Sequence, residues 1–276
     1  MLRSSNPILS KQDAFTPAAP QQGQNPYAQQ PYGQQYGQDP YAQQPGYAPA
    51  GVEPRMTFDD VITKTAVVMG LLAISAAASW ALIPDAFYMP ALILSALVGF
   101  VTVLLVSFRR NVSPPLVFAY AAIQGVFIGM ISKLFESIYP GIVVQAVIAT
   151  FVAAGVTLAA YKIFNIRVTP KFQKIVVLST VAFAAVMLVN FVIVLITGNA
   201  GLRGGIVGPV SLLSVGISLV AIVLAVLNLI LDFDYIERGV AIGAPANESW
   251  RAAFGLTVTM VWLYIEMLRL LSYLRR

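Results

Sequence analysis

Seven long apolar stretches, each near the ~20 residues that a helix needs to cross a bilayer core, constrain this chain more than any other feature. From Thr57 onward they fall at about 63–82, 89–107, 115–134, 142–163, 174–197, 207–231 and 252–272, parted by short polar breaks. Pro84 and Pro90, Pro114 and Pro115, Pro140 with Gly141, Pro170, and Gly204 with Gly205 mark the junctions. Barrel strands would be about 10 residues long and would alternate apolar with polar, whereas these stretches are apolar throughout and read as helices. The 276 residues are 58% hydrophobic and 11% charged, against about 25% charged in a soluble domain, so lipid is the natural solvent for the surface. The expected fold is all-α: a polytopic membrane protein of seven transmembrane helices.

Residues 1–55 are a different polymer, rich in Gln, Pro, Gly and Tyr, and the hexapeptide Pro-Tyr-Ala-Gln-Gln-Pro occurs at Pro26–Pro31 and again at Pro40–Pro45. So few aliphatic residues do not offset chain entropy, and the segment is expected to be a disordered tail. Its spaced tyrosines (Tyr27, Tyr32, Tyr36, Tyr41, Tyr47) suit weak self-association or partner capture. It lacks the apolar stretch and cleavage site of a secretory signal. The domain division is therefore a tail at 1–55 and a membrane domain at 56–276.

Basic residues set the expected orientation. Arg109 and Arg110, then Lys162, Arg167, Lys171 and Lys174, then Arg238 and Arg251 fall in loops on one face, whereas the opposite loops hold Asp85, Lys133 with Glu136, and Arg203. The tail and the basic loops are thus expected in the cytoplasm, in a bacterial plasma membrane. Arg275 and Arg276 conflict with this, because seven full spans put them outside; a re-entrant last segment is the alternative.

There is no histidine and no cysteine, which removes imidazole and thiolate ligands, the common general base, and the side chain that titrates near neutral pH. No phosphate-binding, dinucleotide, nucleophile-elbow or zincin motif appears. No enzymatic activity, catalytic residue, metal centre or cofactor is expected. The net charge of +5 follows from membrane loops and does not point to nucleic acid; the primary partner is the lipid bilayer.

Charges inside spans are expensive unless compensated, so they are the candidates for function. Glu266, in Leu-Tyr-Ile-Glu-Met-Leu-Arg, sits deep in the last span. One reading pairs it with Arg269, three residues on and on the same helical face. The other has it share a proton or cation with an aspartate of span six, since two carboxylates a few Å apart cannot both ionise cheaply and respond to pH together. Asp232 and Asp234 point roughly 200° apart on a helix, so at most one faces Glu266. Asn228, four residues earlier, would extend the stripe of Asp232, which is therefore preferred. Asp234, Glu237 and Arg238 read as headgroup-level residues at a helix end. Gly125 and Gly129 form a Gly-x-x-x-Gly pair that permits close helix approach.

Leu-Asp-Phe-Asp-Tyr-Ile in span six, Leu-Tyr-Ile-Glu in span seven and Pro-Leu-Val-Phe-Ala-Tyr-Ala-Ala-Ile-Gln-Gly-Val-Phe-Ile-Gly in span three resemble the Bax inhibitor-1 family, in its bacterial YccA-like branch, over residues 57–276. The resemblance implies a central seventh helix surrounded by the other six, and a pH-sensitive calcium leak gated by a shared proton between one acid of helix six and one of helix seven. By motif these match Asp232 and Glu266. It also implies that an arginine of helix two engages the acid pair when closed, for which Arg109 or Arg110 is nearest. Glu stands here where the family motif has Asp, and Arg269 where it has Asn. The two acids lie 34 positions apart, so a plain hairpin turning at Gly243–Pro245 places them at different depths unless the connection folds back. The transported species implied are Ca²⁺ or H⁺. The alternative function implied is a non-conducting modulator of membrane-protein quality control that binds a membrane AAA protease, with the tail as recruiting element.

Overall fold

The computed structural model describes residues 54–109, 112–198, 201–205, 207 and 209–276; the tail at 1–53 and Arg110 lie outside the described residues. Among the described residues seven helices, each long and apolar enough to cross a membrane, follow in order: α1 Phe58–Leu82, α2 Tyr88–Ser107, α3 Pro114–Ile138, α4 Ile142–Ile163, α5 Pro170–Thr197, α6 Leu212–Ala241 and α7 Glu248–Leu274. Local chemistry sets their starts. Thr57, Thr169 and Ser211 accept a backbone N–H from the first turns of α1, α5 and α6, and Pro114 and Pro170 occupy first-turn positions that lack an intrahelical N–H partner anyway.

Helix α7 has buried residues around most of its circumference, among them Ala253, Thr257, Leu263, Glu266 and Leu268, and it packs against α1, α3, α4 and α6. Its neighbours are thus chiefly four helices: α2 packs on α3, and α5 packs on α6. Helix α5 buries only Val176, which fits an outer helix facing lipid. The Gly-x-x-x-Gly pair seats α3 on α1. A Cβ at Gly125 would stand 2.5 Å from the Leu72 carbonyl oxygen, and one at Gly129 2.3 Å from that of Ala76, so the contact exists only without side chains there.

Residues 54–56 lie along 244–246, with Met56 N–H bonded to Ala244 O at 2.7 Å and Ala246 N–H to Pro54 O at 2.8 Å. This ties the start of α1 to the α6–α7 turn, and that end of the bundle is called the tail face below. Phe118 near the start of α3 stacks edge-on against Trp250 near the start of α7 on the same face. At the other end Arg275 donates to the carbonyls of Tyr139 and Pro140, in the α3–α4 turn, and to Gln145. The last segment is therefore a full span, and the re-entrant alternative for it falls away.

Helix α6 differs most from its expected bounds. It starts at Leu212 rather than 207 and runs to Ala241 rather than 231. Its 30 residues reach about 45 Å, beyond a ~30 Å hydrocarbon core. An apolar count ends a helix at its first charges, but here those charges are satisfied: Asp234 pairs with Arg238 at 2.8 Å, and Glu237 accepts from the Tyr161 hydroxyl at 2.7 Å and lies 3.5 Å from Lys162.

Candidate functional site

Asp232 lies nine residues before the end of α6, about 13 Å into the bundle from the tail face. Its Oδ2 accepts the Thr259 hydroxyl of α7 at 2.7 Å. Its Oδ1 rests against Gly255, one turn earlier, where a Cβ would stand 3.2 Å away. Gly255 and Thr259 thus form a small-residue seat on α7 that lets the carboxylate approach its backbone. Asn228 faces elsewhere: its amide donates to Thr180 of α5 and to its own helix at Leu224 O, both at 2.8 Å. It ties α5 to α6, and no polar stripe runs through it to the α7 partner. Asp234 binds Arg238 at 2.8 Å.

Glu266 is 18 residues into α7 from the tail face, about 27 Å along the helix. It is 2% exposed. Its Oε1 accepts Arg203 Nη1 at 2.7 Å, an ion pair with both partners buried. The α6–α7 turn is a plain hairpin, closed at Gly243 (φ 65°), so the two acids do sit at different depths. Asp232 meets α7 at Thr259, seven residues or about 10 Å before Glu266. The expected carboxylate pair is therefore replaced by two separate sites. The Arg269 reading also fails: the partner of Glu266 is Arg203, and Arg269 Nε is buried without a hydrogen-bond partner. Arg109 is exposed just past the end of α2, at the tail face, far from Glu266.

Arg203 reaches this depth because the α5–α6 connection re-enters the bundle. Helix α5 ends at Gly198 (φ 67°), and a single 3₁₀ turn, Gly201–Arg203, folds back along it between Gly201 (φ 63°) and Gly204 (φ 66°). Leu202 N–H donates to Asn190 Oδ1 at 2.7 Å, seven residues before the α5 terminus and so about 10 Å below it. A Cβ at Gly201 would fall 2.4 Å from that same oxygen, so glycine is required there by contact as well as by φ. Tyr273 O–H donates to Arg203 O at 2.8 Å and Arg276 to Gly205 O at 2.7 Å, pinning the segment to the end of α7. The guanidinium lies 5.4 Å from the Phe183 ring centre, and Phe183 stacks on Trp262 of α7 at 6.0 Å, a desolvated cation–π contact.

Between the two acids the α6–α7 contact is apolar. Ala225, Leu229 and Leu263 are fully buried together, flanked by Met260 and Trp262. Leu263 is one turn from Thr259 and one from Glu266, so it stands between the two polar sites. Among the described residues Glu266 Oε2 and Arg203 Nε have no hydrogen-bond partner, so the charges compensate each other chiefly through one short contact, beside the Phe183 ring. Among the described residues no three acidic side chains converge into a group that would hold a metal ion.

Arg203, Thr259 and Gly255 were not singled out from the sequence. A usable signal for the first is a lone arginine among glycines in Gly198–Gly205, an otherwise uncharged connection; for the others it is Gly-x-x-x-Thr inside a span. A family model described as Bax inhibitor 1 like matches residues 6–276, which takes in most of the Gln/Tyr-rich segment as well as the membrane domain. No curated protein matches the chain.

Proposed function

Since the chain belongs to the Bax inhibitor 1 like family, we propose that it is an acid-opened cation leak, passing Ca²⁺, with the Glu266–Arg203 ion pair as its latch. The observation that supports this reading is that pair, buried at membrane depth on a segment that folds in from outside. Breaking this pair leaves Arg203 buried and unpaired, which costs about 3–5 kcal/mol. The re-entrant segment then withdraws toward the headgroups, carrying Arg203 with it, and the layer at Leu263 loses its cover. Asp232 with the Thr259 hydroxyl offers a passing hard cation a few oxygen contacts on the tail-face side of that layer, water completing its shell. The charged group facing Glu266 is Arg203; the groups facing Asp232 are the Thr259 hydroxyl and the Gly255 backbone. No enzymatic activity and no resident cofactor belong to this reading.

Liposomes loaded with Ca²⁺ and assayed across pH test it. Wild type is expected to leak faster as pH falls, and a double Asp232→Asn, Glu266→Gln variant to lose that dependence. Equal flux from the two at every pH rejects the proposal. The orientation that goes with it, tail and basic loops in the cytoplasm of a bacterial plasma membrane, rests on Arg109, Lys162, Arg167, Lys171 and Lys174. Single cysteines added to this cysteine-free chain report it by labelling in intact cells. A YccA-like modulator that binds a membrane AAA protease remains the alternative. It makes residues 1–55 decisive, so deleting them is expected to strip the protease from the purified protein.

A further inference from the structure

Helices α1 and α4 each pack on α7 but leave a groove of about 450 Å³ between them. Ala73 and Ala77 of α1 and Val147 and Phe151 of α4 wall it, and Gly129 of α3 and Tyr264 of α7 floor it. Three hydroxyls line the groove or its floor, and each is already bonded within the protein. Ser132 and Tyr264 bond each other at 2.7 Å, and Thr150 donates to Ala146 O at 2.7 Å. Apart from the Trp80 indole, these hydroxyls, already engaged with the protein, are the only side-chain N–H or O–H groups among the lining residues, and an apolar cavity of only about 150 Å³ already takes up a hydrocarbon. The groove is continuous with the lipid-facing surface: Phe151 is 59% exposed at its edge.

Its length identifies the occupant. The groove runs along α1 from Met69 to Trp80, eleven residues or about 16 Å. Trp80 is two residues from the end of α1 on the face opposite the tail, so the groove begins at that bilayer surface and stops near mid-membrane. One leaflet of a ~30 Å hydrocarbon core is about 15 Å deep. An indole at the rim is the side chain expected at the headgroup level. We propose that this groove is a phospholipid site, in which one acyl chain from the leaflet opposite the tail face lies between α1 and α4 against Tyr264, with the headgroup at the level of Trp80.

The inference is independent of ion conduction, and its test is lipid retention. The full chain, expressed in bacteria and purified in mild detergent, is examined by native mass spectrometry after titration with palmitoyl-oleoyl phosphatidylglycerol. Wild type is expected to hold one phospholipid per chain, and Ala77→Phe, which fills the groove from its open wall, to hold at least about ten-fold less. Ala73→Leu is a milder filler that should lower occupancy with helicity unchanged, and Ile74→Phe, on the exposed side of α1, should leave it at the wild-type level. Retention by Ala77→Phe and Ala73→Leu equal to wild type overturns the proposal. So does a wild-type protein that carries no lipid, or that carries a free fatty acid in place of a phospholipid.

Discussion

Removing either member of the Glu266–Arg203 pair tests whether the two charges hold the re-entrant segment in place. Both side chains are nearly inaccessible, at 3% and 10% exposure, and meet at 2.7 Å, so solvent screening that makes surface pairs nearly worthless does not apply. Among the described residues Glu266 Oε2 and Arg203 Nε have no hydrogen-bond partner. Each single variant, Glu266→Gln or Arg203→Met, therefore strands one group in a low-dielectric interior, at a cost of about 3–5 kcal/mol. The double variant strands neither charge and should lose far less than the sum, giving a coupling of at least about 2 kcal/mol. The assay is thermal or denaturant unfolding of the four proteins in one detergent. Singles that add to within about 0.5 kcal/mol refute the reasoning, because partners in one buried contact cannot behave as independent sites.

Three further substitutions probe the parts around the pair. Thr259→Val keeps the shape of the seat but removes the donor to Asp232, and should cost about 1–3 kcal/mol of stability by the same unfolding assay, with Asp232→Asn, Thr259→Val losing less than the two singles together. Gly201→Ala meets both a positive φ and the Asn190 oxygen; it should destabilise by more than about 1 kcal/mol and raise protease cleavage in the α5–α6 connection, and an unchanged cleavage pattern counts against a tightly seated turn. Leu263→Asn places a polar group in the apolar layer between the acids and, on the proposed leak, should raise Ca²⁺ flux from liposomes at neutral pH above that of wild type.

Apolar run length alone located the seven helices, because a bilayer demands the same thing of every span. Helix α6 shows where that signal stops: Asp234, Glu237 and Arg238 terminate an apolar run, yet Asp234 and Arg238 pair with each other one turn apart, and Glu237 finds Tyr161 and Lys162 more than 70 residues away in sequence, where only the packed bundle brings them. The candidate site was half legible. Asp232 and Glu266 stand out as costly residues in lipid, and the 34 positions between them already argued for different depths, which the hairpin at Gly243 realises. What the sequence did not reveal was the counter-charge. Arg203 looks like an ordinary loop arginine until the three left-handed glycines around it and the Asn190 acceptor are seen to turn the connection back into the membrane. Arg269, by contrast, satisfied the spacing rule for a helical ion pair, but a side chain three residues on competes with one delivered directly onto the carboxylate.

The most direct measurement of the latch is Ca²⁺ flux from loaded liposomes for Arg203→Met across pH, beside wild type. If Arg203 holds the segment closed through Glu266, the variant leaks at neutral pH at the rate of acidified wild type, and lowering the pH adds nothing. If Arg203→Met keeps the wild-type pH profile, the ion pair is not the latch and the account is wrong.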